Sequence, residues 1–473
     1  MTDFPLLIGD EWIHEGARDT IRLPYDGTAV GTIPHADEAM VHRASLAARE
    51  GARAMAAMAN YERADLLLRI RDQIRTHAPE FAHLVCSETG KPLKEAETEV
   101  DRCQQTLMAA AHEARALHGE VVPMEFSPMG KGRMAMTVRE PVGVVAAITP
   151  FNIPLNLALH KISPALAGGN AVIHKPAERT PLSAARLARA IVDAGAPAGA
   201  YNLLHGDGPR LGAAILAEPG IDMVTFTGSV RVGTEIRAKA GLKKVTLELG
   251  NNSAVIVEPD CDRKLAVSRV VQGAFANSGQ VCISVQRVFV HESIGVGFLE
   301  ELEAAVDDLR LGHPYDRATD ISSLIDEAAA VRVEGWIRDA VRDGAAVVRG
   351  GPRRRATIPP TILAKVPASS RISCDEVFGP VVAIYVYSGL ESAIAQVNST
   401  VYGLQAGIFM NDLEKAFQTA RKLRVGGVLI NDVPMYRADH MPYGGVKHSG
   451  LGREGPKYAI EEMTEMKLLV WRA

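Results

Sequence analysis

Cys282 is the residue in this chain best placed to do chemistry. It ends the segment Asn277-Ser278-Gly279-Gln280-Val281-Cys282, just ahead of the strand-like run Arg287-Val288-Phe289-Val290. A glycine three residues before a thiol allows backbone angles that other residues resist, and so brings N–H groups close to a ligand. A thiol becomes a nucleophile when its pKa falls or a base lies beside it, and the oxygen of its substrate then needs a polarising donor. A lone cysteine is equally a small buried hydrophobe, so other residues must decide between the two.

Four loops carry polar groups suited to the first reading. Asn152 follows an apolar run and opens a helix-like one. Its carboxamide is either a donor to a developing oxyanion, worth roughly 3 kcal/mol where such donors act, or a plain helix cap. Lys175 and Glu178 flank Pro176. They suit a ribose diol, with the carboxylate repelling a 2′-phosphate, or they form a solvated charged loop. Phe226-Thr227-Gly228-Ser229-Val230-Arg231-Val232-Gly233 runs from strand into helix, and a helix N-terminus there would face a pyrophosphate. Its spacing is not GxGxxG, so alone it says little. Glu248 ends an apolar strand just before Gly250. Partial removal from water would raise its pKa towards that of a base working near neutrality; otherwise it is a strand-end carboxylate facing solvent.

The elements that must position these groups alternate. Apolar runs at 142–148, 170–175, 201–204, 223–227 and 244–249 read as strands, separated by helix-like segments that include 181–194, 210–217 and 230–240. The second half alternates in the same way. Its strands fall at 254–257, 285–290, 346–348, 361–363, 381–387, 406–410 and 427–431, with helices at 263–276, 294–309, 323–343, 391–398 and 413–423. Such alternation predicts an α/β fold with doubly covered parallel sheets, whose strand-to-helix loops bind nucleotides. Before it come short β-like pieces, Leu6-Leu7-Ile8 and Glu11-Trp12-Ile13, and a helical region from about Ala36 to Leu117, broken at Thr89-Gly90-Lys91-Pro92. Residues 119–140 look extended, with Pro123, Pro128, Gly130 and Gly132, and the tail 463–471 reads as a last strand.

A chain of 473 residues exceeds one hydrophobic core and implies two or three domains. The net charge of −4 gives no basic excess for nucleic acid. Five scattered cysteines, Cys86, Cys103, Cys261, Cys282 and Cys374, argue against a disulfide framework and for a reducing compartment. None has zinc-type spacing, so no metal is expected. The start of the chain lacks signal-peptide character and the apolar runs fall short of the ~20 residues of a membrane span; a cytoplasmic protein without membrane contact is expected.

Asn152, Lys175-Pro176-Ala177-Glu178, Phe226-Thr227-Gly228-Ser229, Glu248-Leu249-Gly250, Gly279-Gln280-Val281-Cys282, Glu376-Val377-Phe378-Gly379-Pro380 and Pro442-Tyr443-Gly444-Gly445-Val446-Lys447 occur in this order. Together they resemble the aldehyde dehydrogenase superfamily over essentially the whole chain. The resemblance implies two doubly wound domains plus a small β arm: residues 1–117 and 139–251 for the dinucleotide, 252–455 for catalysis, 118–138 and 456–473 for oligomerisation, as a homodimer or homotetramer. It implies Cys282 as nucleophile, Glu248 as the base that activates the deacylating water, Asn152 with the Cys282 N–H as oxyanion hole, and Lys161 as a supporting lysine. Thr149, Pro150, Phe151, Lys175, Glu178, Gly208, Gly228, Ser229, Gly233, Leu249, Glu376 and Phe378 are the implied contacts of NAD, with NADP as the alternative. The presence of Glu248 favours hydrolysis over acyl transfer to coenzyme A.

Two positions depart from the pattern. Asn251 stands where a glycine is usual, and Val281 stands where relatives that bind phosphorylated or phosphonylated aldehydes often carry Arg. Arg102, Arg437 and His440 fall where relatives contact substrate. The pattern is most similar to the branch oxidising lactaldehyde and other short polar aldehydes. The rival readings are an NADP-linked non-phosphorylating glyceraldehyde-3-phosphate or semialdehyde dehydrogenase, a cofactor-independent thiol esterase, and a non-catalytic structural or binding protein.

Overall fold

The structure, a computed structural model, describes residues 2–472. Its larger sheet has eight strands in the order Gly450–Leu451, Lys244–Glu248, Met223–Thr227, Val144–Ile148, Ala171–Lys175, Tyr201–Leu203, Leu6–Ile8 and Glu11–Ile13. The five central strands are parallel, while Gly450–Leu451 and the two N-terminal strands run antiparallel at the edges. All residues of Val144–Ile148 and Ala171–Lys175 are buried, as a sheet covered by helices on both faces requires. Chain order reverses between Val144–Ile148 and Met223–Thr227, which opens a crevice at their carboxyl ends. Thr149, Asn152 and Gly228 follow directly from those ends.

The second sheet has seven strands, Ala346–Arg349, Thr361–Ala364, Val381–Tyr387, Val285–His291, Ser253–Val257, Gln405–Phe409 and Gly427–Ile430, parallel except for the first. Separate apolar clusters pack its faces, one around Val288, Phe298 and Phe409 and another around Ile256, Phe289 and Ile408. Val121–Val122, Arg133–Pro141 and Thr464–Arg472 form a small antiparallel sheet, paired without a break from Thr464 opposite Pro141 to Arg472 opposite Arg133.

Several expectations are corrected. Thr2–Asp3, Ala29–Pro34 and Arg18–Arg22 form a further three-stranded sheet, whose two longer strands give no sequence signal because their polar residues alternate irregularly. The helix expected over 323–343 starts at Glu327, where the Asp326 side chain caps the Ala329 N–H. Within the tail assigned to the arm, Pro456–Glu462 is a helix, with Ile460 and Met463 buried in the core under the larger sheet. Gly450–Leu451, assigned to the catalytic domain, pairs with Lys244–Glu248 of that sheet. Among the described residues no helix is long and apolar enough to cross a membrane.

Candidate active site

The thiol is delivered by a turn with unusual backbone angles. The helix Arg263–Phe275 stops, and Asn277, Ser278 and Gly279 take φ of 49°, 53° and 73°. Left-handed angles at two non-glycine residues cost energy and persist only where the surroundings fix them. Here the Glu95 carboxylate accepts the Asn277 N–H at 2.9 and 3.0 Å, the Asn277 amide donates to the Asn152 carbonyl at 3.0 Å, and Gln280 Oε1 accepts the Ile325 N–H at 2.9 Å. A side chain at position 279 would put its Cβ 2.1 Å from the Gly379 carbonyl oxygen.

Asn152 is not a helix cap; that position falls to Ile153, ahead of Pro154–Ala167. Its Nδ2 donates to the Gln280 carbonyl at 2.9 Å. This fixes the carboxamide at the cysteine turn, and a second N–H remains to be directed elsewhere.

Cys282 Sγ lies 3.0 Å from the Tyr443 hydroxyl. Burial pushes the thiol up to about 12; the Tyr443 hydrogen bond works against this, while the Glu376 and Glu248 charges add to it. The Arg437 guanidinium stacks 3.7 Å from the centroid of the Tyr443 ring, and donates to Glu454 at 3.0 Å. Glu454 also takes the Lys161 ammonium at 2.6 Å. Burial alone would raise the Glu454 carboxyl, but Lys161 and Arg437 outweigh it and hold it below the usual range. Glu248 shares this neighbourhood without a dedicated partner: burial first, and then the Glu454 charge, raise its pKa well above an ordinary carboxyl. Its Oε2 has no hydrogen bond among the described residues. Two buried acids are thus driven apart, Glu454 held ionised and Glu248 shifted towards its protonated form, so that once ionised it is the stronger base. Tyr443 lies within the Pro442–Lys447 motif but takes no role from the sequence, and Glu454 is not singled out there at all; their contacts give both a place in the site.

A cavity of about 290 Å³ opens at the thiol, with Val281, Tyr443, Arg102 and Arg437 in its wall. Arg102 donates to both oxygens of Asp439, at 3.2 and 2.8 Å. Asp439 also meets the Asn156 amide and His160 Nε2, each at 3.0 Å. Burial raises the Asp439 carboxyl but His160 and Arg102 more than offset it, leaving it well below the usual range. His440 is exposed and outside the cavity wall; its neighbour Asp439 faces inward instead.

A second cavity of about 440 Å³ lies in the crevice of the larger sheet, lined by Thr149, Phe151, Lys175, Glu178 and Gly208. Buried Lys175 donates to the Pro176 carbonyl at 3.1 Å, and burial lowers its pKa against the opposing pull of Glu178. The Glu178 carboxylate takes the Gly208 N–H, and a Cβ at 208 would come within 2.8 Å of it. Gly228, Ser229 and Gly233 do not line this cavity; Phe226, Arg231 and Val232 do. Ser229 caps its own helix, and Gly233 lets that helix lie on Leu249, whose side chain a Cβ would meet at 2.4 Å. Pro150 is likewise outside the wall. Glu376 accepts the Asn251 N–H at 3.0 Å, and burial pushes it up to about 7. Phe378, with φ of 50°, meets Phe151 edge-on at 5.7 Å. Asn251 has a structural reason to replace glycine: its amide donates to Ser253 Oγ at 2.5 Å and its oxygen accepts the Leu404 N–H at 3.3 Å. A concave wall that carries Lys175 and Glu178, groups suited to a diol, together with Phe151 and Phe226 fits a nicotinamide dinucleotide.

Comparisons with known proteins agree. The aldehyde dehydrogenase family profile matches residues 12–469. The 3-sulfolactaldehyde dehydrogenase of Priestia aryabhattai is 46% identical over 99% of this chain and 98% of its own length. The lactaldehyde dehydrogenase of Methanococcus aeolicus is 39% identical over 98% and 99%. Among solved structures, NADP-dependent glyceraldehyde-3-phosphate dehydrogenase from Bacillus halodurans, complexed with NADP, superposes with a TM-score of 0.97 at 37% identity, covering 100% of both chains. Aldehyde dehydrogenase 21 from Physcomitrella patens, in complex with succinate, gives 0.97 at 37% identity over 100% and 98%.

Proposed function

The chain belongs to the aldehyde dehydrogenase family, and from that premise we propose that it oxidises a short 2-hydroxyaldehyde of the lactaldehyde type to its carboxylate, using Cys282. The observation that carries this reading is the thiol's setting: Cys282 opens on a cavity of about 290 Å³ whose wall includes two guanidinium groups. That is the lower end of ligand-pocket sizes, ~300 Å³, and its cations reward a polar rather than an aliphatic substrate.

The chain's own groups account for each step. The thiol must lose its proton before it attacks, and Glu248, directly or through water, is the nearby group fitted to take it. The oxyanion formed as the thiolate adds to the aldehyde carbon is received by the free N–H of Asn152 and the Cys282 backbone N–H, donors that need no reorganisation. A nicotinamide dinucleotide, when bound, supplies the hydride acceptor that protein side chains lack. Once it has passed the thiol's proton to solvent, Glu248 removes a proton from the water that attacks the Cys282 thioester; as the C–S bond breaks that proton returns to the Cys282 sulfur, and the acid is released. Lys161 and Arg437 keep Glu454 ionised beside it, and that fixed negative charge keeps Glu248 basic. At the far end of the cleft, Glu178 opposes a 2′-phosphate, which favours NAD over NADP.

A second reading is favoured by Arg102 and Arg437. Neither Nη1 makes a hydrogen bond among the described residues, so each guanidinium keeps a free edge for a substrate anion such as a 3-sulfonate. Initial rates with lactaldehyde, 3-sulfolactaldehyde, glycolaldehyde, succinic semialdehyde, glyceraldehyde 3-phosphate, octanal and benzaldehyde, each with NAD and NADP, decide the matter. Octanal or benzaldehyde far outpacing the short polar substrates overturns the proposal. Arg102→Ala raising KM for the sulfonate but not for lactaldehyde supports the anionic reading.

A further inference from the structure

We propose that Asp19, His35 and His205 form a binding site for a divalent transition-metal cation of the zinc type, which ties the N-terminal three-stranded sheet to the loop beneath the adenosine end of the cofactor cleft. The three side chains come from separate elements. Asp19 is on the strand Arg18–Arg22, His35 directly follows Ala29–Pro34, and His205 lies two residues beyond Tyr201–Leu203. Asp19 sits opposite Ile33 in the antiparallel ladder, so His35 is its diagonal neighbour on the same face. The His205 carbonyl accepts the Ala36 N–H at 2.7 Å, which holds the third residue against the other two.

The geometry is close to that of a coordination sphere. Asp19 Oδ2 is 2.8 Å from His35 Nε2 and 3.1 Å from His205 Nε2, and the three donor atoms all lie within 4.8 Å of one another. The imidazole rings are perpendicular with centroids 5.6 Å apart. Two imidazoles on one tetrahedral ion at the usual Zn–N distance of ~2.0–2.1 Å have centroids about 5 Å apart. Binding an ion would draw the two imidazole nitrogens together and part each slightly from the carboxylate oxygen, since ligands of a tetrahedral ion at ~2.0–2.1 Å lie about 3.3 Å apart.

A closed hydrogen-bond network is the competing explanation, and this one closes only in part. His205 Nε2 hydrogen-bonds to Asp19 Oδ2 at 3.1 Å, while the buried Nε2 of His35, 2.8 Å from the same oxygen, and His205 Nδ1 make no hydrogen bond with a described residue. The His205 side chain is fully buried, while those of His35 and Asp19 are 36% and 42% exposed. Solvent can therefore reach the open side, where water would take the fourth position. Two imidazoles with one carboxylate select a borderline ion such as zinc or cobalt over magnesium or calcium. Sequence spacing gives no hint of the site, since its ligands are remote in the chain.

His205 is three residues from Gly208, whose N–H holds Glu178. Occupancy is therefore expected to stiffen that loop as well as the fold. The test uses full-length, chelator-treated Cys282→Ser protein, which lacks the competing active-site thiol. Titrated with cobalt(II), it should bind one equivalent with the visible spectrum of a tetrahedral nitrogen/oxygen site and no thiolate charge-transfer band. Zinc should raise its unfolding temperature. Asp19→Asn and His35→Gln, both partly exposed and expected to fold, should each weaken binding by at least ~10-fold, judged by the effect of weaker perturbations on metal sites, and remove the thermal shift. Circular dichroism confirms that they fold. No binding at micromolar cobalt, an octahedral spectrum, or binding that survives both substitutions (surface histidines only) overturns the site.

Discussion

The hydroxyl of Tyr443 lies 3.0 Å from the Sγ of Cys282, as its hydrogen-bond partner. In cofactor-free protein the thiol is held up to about 12 by burial, so below that pH the thiolate fraction rises about tenfold per pH unit. Alkylation of Cys282 by iodoacetamide should accelerate accordingly from neutral into mildly alkaline solution, because the thiolate is the reacting species. Tyr443→Phe removes a donor that favours the thiolate. It should slow alkylation at fixed pH by ~2–10-fold, the value of a hydrogen bond worth ~0.5–1.5 kcal/mol, without changing the slope; an unchanged rate would remove Tyr443 from any electronic role. Glu248→Gln keeps the shape of the proposed base and loses its basicity. It is expected to retain a burst of NADH and lose most of the steady rate, because thioester hydrolysis becomes limiting; a wild-type steady rate would reassign the base. Asn152 and Cys282 were recognisable from residue type and order, and Tyr443 only as part of the Pro442–Lys447 motif; its contact with the thiol, and any meaning for Glu454 and Asp439, come through partners on other elements.

At the scale of elements, the turn at 277–279 shows how position is secured against local preference. Three consecutive left-handed residues would not persist in an isolated peptide; Glu95, Asn152 and Ile325 hold them from three other segments. Gly279→Ala must push its Cβ against the backbone carbonyl of Gly379, which cannot give way as a flexible side chain can. We expect a destabilisation of ~1–3 kcal/mol in denaturant unfolding, and a fall in kcat/KM of about 100-fold, the cost of misplacing a reacting group by ~1 Å. Activity and stability close to wild type would show that the turn tolerates another path. The alternating strands were legible because buried parallel strands are short apolar runs. The hairpin Arg18–Arg22 with Ala29–Pro34 was not, since one of its faces is neither fully buried nor fully wet.

At the scale of the whole molecule, the small β arm leaves apolar side chains in solvent. Phe126 and Met129 are 96% and 86% exposed, and Leu468, Val470 and Trp471 are also exposed on its long outer strand. Apolar side chains exposed along an edge strand suit an association surface, and we propose a homo-oligomer built through the arm. Light scattering should give a dimer or tetramer, and Leu468→Asp with Val470→Asp should shift it to smaller species; a wild-type monomer would exclude the arm as an interface. The order of motifs along the sequence determined the family and the α/β architecture and singled out Cys282 as the proposed nucleophile, because these rest on residue type, spacing and apolar periodicity, all of which are local. Folding alone decided which charges neutralise one another, which acid stays basic, and that Asp19, His35 and His205 meet, because burial and distance between remote segments are set by packing and leave no periodic trace in the chain.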